Sequence, residues 1–252
     1  MIRMTSAGLV AALVLAAPER APATQIPFDV TEVAVWAEAR EDGSAVGIGP
    51  AWAHLLLERA HLHAEVRALP YGELLAPGKR ADRGFMIVVG ANDFPLDGVT
   101  ILSQLMDISV VVVPKRGLSL KSRFDLIGLN GIAVARGTPL AERLGLAGGF
   151  PVEPVPSMAN ALRMLSAGHV DAVAGVRVSI EILAARMGMA DQLGTPFELA
   201  RSSVDLVVES TLADGPEAAS LREAAREIAR EGGFARIVDA ALRGTQGARA
   251  DR

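Results

Sequence analysis

The sequence predicts an α/β fold, and three observations carry that reading. Short apolar runs bounded by glycine, proline or charged loops alternate with stretches whose apolar residues return at helical spacing. Two segments about twenty residues apart, 124–138 and 157–173, each join a strand to a helix. With 252 residues the chain can bury a sizeable core, as one large domain or two small lobes.

The amino terminus reads as an export signal. Arg3 supplies a short positive region, Ala7 to Ala17 is an apolar stretch, and Ala21-Pro22-Ala23 offers a small-residue cleavage site. Cleavage is expected after Ala23. The apolar run is too short to span a bilayer, although an uncleaved anchor or a buried helix is the alternative. The chain has no cysteine, which excludes a lipoprotein anchored through cysteine, disulfides, a thiol nucleophile and cysteine metal sites.

Glu32 to Ala37 reads as a buried strand, followed by the charged turn Glu38 to Ser44. Pro50 suits a helix start, and Ala51, Leu55, Leu56 and Leu62 keep helical spacing. His63 to Leu69 alternates like a half-buried strand. Gly84 to Gly90 is a buried strand, and Ile108 to Val113 is another, closed by Pro114. Leu129 to Ala135 is a strand leading through Gly137-Thr138 into a helix over Pro139 to Leu144. Ser157 is a good N-cap for a helix ending at Gly168, which suits the left-handed position after a helix. Val170 to Val176 is a strand, and Val178 to Met187 a helix stopped by Gly188. Val204 to Val208 is a strand. Pro216 to Arg230 is an amphipathic helix with Leu221, Ala224, Ala225 and Ile228 on one stripe. After Gly232-Gly233 a short helix runs from Phe234 to Leu242, and 244–252 is expected to be a disordered tail.

The net charge is −4 and no basic stripe or block of like charges is present, which argues against nucleic-acid binding. His61 and His63 straddle a helix–strand junction without an evident third ligand, so no metal site is expected. No Ser-His-Asp order, phosphate loop or dinucleotide glycine motif occurs, and no cofactor is expected.

Phe124-Asp125-Leu126-Ile127-Gly128 through Val134-Ala135-Arg136-Gly137-Thr138, with Leu165-Ser166-Ala167-Gly168-His169-Val170-Asp171-Ala172, resembles the inserted lobe of bacterial periplasmic solute-binding proteins of the amino-acid-binding type. The resemblance covers about residues 30 to 243 and implies a two-lobe fold with two crossing strands and a central cleft. It divides the chain into a signal peptide (1–23), lobe 1 (24–113), lobe 2 (114–196), a return to lobe 1 (197–243) and the tail (244–252). The first crossing would lie in 114–121 and the return near 196–201. It implies a periplasmic, monomeric binding protein that closes as a hinge on a small polar or anionic solute. The partner would be a membrane permease of an ABC-type transporter, or a dehydrogenase of a periplasmic oxidation system. Two other readings stay open: a periplasmic lyase or dehydratase on the same fold, and an accessory module that contacts a protein without a small ligand.

The Gly137-Thr138 loop is the leading binding candidate, because a helix N-terminus offers unpaired N–H groups to an anion. Arg136 can add charge, and the alternative is a plain N-cap beside a solvated arginine. The family's lobe-1 arginine, which clamps a ligand carboxylate, has no counterpart in Gly90-Ala91-Asn92-Asp93-Phe94-Pro95-Leu96-Asp97-Gly98. The family's aspartate for the ligand ammonium, five residues after Asp171, would fall on Val176. Losing one side of a buried charge pair costs roughly 2–5 kcal/mol, so an ordinary α-amino acid is not the expected ligand. Asn92 and Asp93 in that stretch are ligand candidates. Arg177, beside Val176, either faces the cleft or is an ordinary surface arginine. By their place after strands, Trp36 and Tyr71 are cleft walls or packing residues, with Glu38 and Arg40 on the loop after Trp36. Trp52 reads as core, and Asp171 as structural.

Overall fold

The computed structural model describes residues 26–74, 84–93, 97–138, 140, 144 and 149–250. The export signal and its cleavage site lie outside them, as does most of the helix expected over Pro139 to Leu144. No helix among the described residues is long and apolar enough to cross a membrane.

The described residues hold ten strands: β1 (Phe28–Glu32), β2 (Glu38–Ala39), β3 (Ala45–Val46), β4 (Val66–Pro70), β5 (Phe85–Val89), β6 (Val99–Pro114), β7 (Ile132–Ala135), β8 (Val152–Val155), β9 (Ala172–Val176) and β10 (Phe197–Glu209). The helices are α1 (Ile48–Ala60), α2 (Tyr71–Leu74), α3 (Met158–Ser166), α4 (Arg177–Arg186), α5 (Pro216–Arg230) and α6 (Gly233–Ala250). Eight strands are linked in the order β4-β1-β5-β10-β6-β9-β7-β8, and β2-β3 form a separate hairpin. β1 pairs parallel with β4 and β5, and β7 pairs parallel with β8 and β9. Between these two parallel groups β6 and β10 run antiparallel, from Phe197↔Val112 to Glu209↔Val99, with three register shifts.

Two lobes follow from this order. β6 and β10 are the crossing strands, each entering both lobes. The crossings are therefore regular strand, longer than the expected crossings at 114–121 and 196–201. β10 holds both the expected return and the expected strand Val204 to Val208.

Each lobe has its own core. Lobe 1 packs Phe28, Val30, Phe85, Ile87 and Leu206 against Trp52 and Leu56 of α1, Leu221 and Ile228 of α5, and Phe234 of α6. Arg59 on α1 reaches Glu231 through a paired set of hydrogen bonds (2.8 and 2.9 Å), which ties α1 to the chain between α5 and α6. Lobe 2 packs α3 and part of α4 (Leu162, Ile180, Ala184) on one face of its sheet. Leu126, Ile132, Val134 and Ala172 pack on the other face. α4 is shared between the lobes: its Ile180 and Ala184 belong to the lobe-2 core, and its Ile182 is buried in the lobe-1 core.

Local chemistry explains the element ends. Ser157 caps α3, its hydroxyl oxygen accepting from the Asn160 N–H at 3.2 Å. Gly168 and Gly188 follow α3 and α4 with φ of 74° and 70°. Pro216 opens α5 at its first turn. The first strand lies earlier than expected, at Phe28–Glu32. Its Asp29 and Thr31 are buried polar residues: Asp29 Oδ1 accepts from Arg67 Nε (2.8 Å), and the Thr31 hydroxyl donates to the Ile87 carbonyl (3.1 Å). Residues 33–37 form a turn, with Val35 at φ 65°. α6 continues to Ala250, past the expected end at Leu242; no proline interrupts the segment.

Candidate functional site

A cavity of about 640 Å³ lies between the lobes. It gathers the carboxyl ends of the parallel strands, where open α/β sheets bind ligands. From lobe 1 come Glu32, Val33 and Ala34 after β1, and Val89 and Gly90 at the end of β5. The crossing strands contribute Ile108, Val110, Leu199, Ala200 and Ser202. Lobe 2 contributes Ala135, Arg136 and Thr138 after β7, Pro156 to Met158 before and at the start of α3, Ala174 to Val176 on β9, and Ser179 on α4. Leu140, Leu144, Phe150 and Arg123 complete the described lining.

Two arginines stand at this cavity, each anchored by one N–H to a backbone carbonyl. Arg136 Nε donates to the Pro154 carbonyl (3.0 Å). One terminal nitrogen of Arg123 donates to the Leu199 carbonyl (2.7 Å). Anchoring fixes each guanidinium while leaving other N–H groups for an anion. Arg123 begins a short 3-10 turn whose geometry is set by Asp125. That carboxylate accepts the Lys121 and Ser122 backbone N–H groups (2.7 and 2.8 Å), and these bonds hold its pKa below the ordinary value.

The expected site residues are only partly brought together. Arg136 and Thr138 line the cavity, flanking Gly137, whose φ of 71° makes the turn out of β7. The Thr138 hydroxyl donates to the Ala135 carbonyl (2.8 Å). Trp36 is not at the cavity. The left-handed turn at Val35 directs its ring into the lobe-1 core, edge-on to Trp52 at 5.6 Å between centroids. Its indole N–H donates to Ser179 Oγ (3.0 Å), and the side chain is fully buried. Glu38 and Arg40 are exposed in and beside the β2-β3 hairpin and are not among the lining residues. Arg177 pairs with Glu181 one turn along α4 (2.7 Å), a surface placement. Asn92 donates to Ser203 and Asp205, outside the lining. Tyr71 opens α2 and Asp93 ends a short 3-10 turn, but their side chains lie outside what is described.

Asp171 is tied to structure. Its carboxylate accepts from Lys115 Nζ (2.6 Å) and from the Asn130 N–H (2.8 Å), and these bonds lower its pKa, Lys115 most. Trp52 lies in the core, its N–H on the Phe234 carbonyl (3.2 Å).

Sequence reasoning passed over Arg123, Glu32 and the apolar walls. Glu32 ends β1 and would have been found by placing that strand correctly. Arg123 lies thirteen residues before Arg136, with nothing local to connect them. No group of three or more metal-ligating side chains occurs among the described residues.

A comparison with protein-family models gives no match, and neither does one with curated protein sequences. Solved structures do match in fold. One is a histidine kinase sensor domain with similarity to periplasmic binding proteins: 17% identity over 87% of this chain and 96% of that one, TM-score 0.70. Another is the GluR0 ligand-binding core in complex with L-glutamate: 14% identity, 88% and 100% coverage, TM-score 0.69. A third is an ancestral arginine-binding protein bound to arginine: 16% identity, 86% and 97% coverage, TM-score 0.65. The chain has the two-lobe, type II periplasmic-binding-protein-like fold, as expected from its inserted-lobe segments.

Proposed function

We propose that this protein is an extracytoplasmic binding protein that holds a small anionic solute between its lobes and closes on it. The observation that supports this best is the interlobe cavity, lined from both lobes and flanked by the anchored guanidiniums of Arg123 and Arg136. Closure would bring the Gly137-Thr138 turn and both arginines onto one ligand, and a ligand that binds the closed form better shifts the lobes towards it. The described lobe-1 lining offers no cation for an α-carboxylate, so an ordinary α-amino acid is not the proposed ligand. The setting would be the periplasm, with the closed form presented to a transporter permease or to an oxidation-system dehydrogenase.

Thermal unfolding against amino acids, organic acids, sugars and polyamines tests this. A solute at a hundredfold its Kd adds about 2.7 kcal/mol, which raises Tm by roughly 5–10 °C in a domain of this size. X-ray scattering should show the radius of gyration falling with the same solute. Absence of any shift across all four classes would sink the reading.

A further inference from the structure

We infer that the solute is an amphipathic organic acid, its carboxylate held by Arg123 and Arg136 and its apolar body, an aryl or medium-length alkyl group, lying on the inner walls. This rests on the binding reading above and names the ligand class of that cleft.

The cavity is ordered by polarity. The three charged residues of its described lining, Glu32, Arg123 and Arg136, are all exposed. The apolar lining residues Val33, Val110, Leu140, Phe150 and Leu199 are half-buried. A ligand matched to such a site carries its charge at the rim and sends hydrocarbon inward, since wetted apolar walls gain most from contact with apolar surface.

Three hydroxyls in the described lining already bond within the protein. Thr138 donates to the Ala135 carbonyl, Ser157 donates to Asn160 Oδ1 (2.6 Å), and Ser179 accepts from the Trp36 indole. No Asn, Gln, Tyr or Trp is among the described lining residues. A sugar would bury hydroxyls against these walls without partners, which is unfavourable. A polyamine needs several carboxylates, and Glu32 is the only one in the described lining. Glu32 also selects the orientation. It repels an acid head from the lobe-1 side, towards the arginines, and disfavours a second carboxylate at the other end of the ligand.

The test is calorimetry on the full chain with butanoate, hexanoate, octanoate and 4-phenylbutanoate, set against succinate, leucine, glucose, putrescine and octanol. Affinity should tighten about fourfold per added methylene along the alkyl series. Arg136→Ala and Arg123→Ala should each weaken octanoate about tenfold or more, from loss of charged hydrogen bonds. If either alanine variant misfolds, the alkyl series on the unaltered chain still decides the matter. A flat response to chain length, or octanol binding as well as octanoate, overturns the inference. So does succinate, leucine, glucose or putrescine binding more tightly than every monocarboxylate, although the solute-binding reading then survives. No binding by any of the nine overturns both.

Discussion

Replacing Ser179 by alanine isolates the contact that joins Trp36 to α4. Ser179 is 3% exposed and Trp36 is fully buried, so Ser179→Ala leaves the indole N–H without its 3.0 Å acceptor in a site closed to water. Orphaning a buried donor costs about 1–3 kcal/mol, more than the roughly 1 kcal/mol net worth of the bond itself. Trp36→Phe removes the donor and keeps most of the edge-on packing against Trp52. In a double-mutant cycle the coupling should be about 1 kcal/mol. Urea unfolding with tryptophan fluorescence and circular dichroism reads the stability. Each kcal/mol corresponds to roughly 2–4 °C in Tm at this size. A core Trp36 predicts that Trp36→Phe changes stability. An unchanged unfolding midpoint in both single variants would refute the placement of this ring in the core.

Three other outcomes follow from described contacts. Gly47→Ala should destabilise by about 2–5 kcal/mol, from left-handed strain and overpacking: Gly47 has φ 134°, and a Cβ there would lie 2.5 Å from the Trp36 carbonyl oxygen. Denaturant titration measures this, and a neutral variant would contradict the turn. Ile182→Ala, at a fully buried position, should cost about 2–5 kcal/mol by cavity creation; a loss below 1 kcal/mol would place Ile182 outside the lobe-1 core. Asp171→Asn should cost at most about 1 kcal/mol at neutral pH, because the Lys115 partner is half exposed. The folded protein holds the Asp171 pKa below its ordinary 3.8, so its contribution is complete above that value and is lost as pH falls through the lower folded pKa. The gap between variant and parent, followed by acid titration of Tm, should therefore close below pH 3.8; a gap that widens there would reverse the assignment.

How much was legible varied with the chemistry of each segment. α3 and α5 announce themselves by Ser157, Gly168, Pro216 and a clean apolar stripe, and β5 by an unbroken apolar run between glycines. β1 was misplaced because Asp29 and Thr31 interrupt its pattern, and only the fold supplies Arg67 and the Ile87 carbonyl that make them tolerable inside. β6 showed only its apolar end, 108–113. Its earlier half carries Ser103, Gln104 and Asp107, and its pairing with β10 shifts register, so no strict alternation survives. At the site, Arg136 and Thr138 were visible because a strand and a glycine turn mark them locally. Arg123 was not, because its nearness to the cavity comes from β10 offering the Leu199 carbonyl, a contact 76 residues away in sequence. Trp36 misled because a large aromatic after a strand suits a wall as well as a core, and the left-handed turn at Val35 that decides between them leaves no mark in side-chain type.

α4 belongs to two cores at once, with Ile182 in one and Ile180 and Ala184 in the other. A helix gripped from both sides acts like the spine of a book. Neither cover can pull away from it without laying buried isoleucine bare to water, at roughly 1.5–3 kcal/mol for each such side chain. Any opening of the kind proposed would then be a rotation about this helix and the paired β6 and β10, with the least travel near Ser179 and the greatest at the wall farthest from it. Ligands would come and go past that far edge, and the mechanical stiffness of the whole motion would be set by the few side chains along the spine.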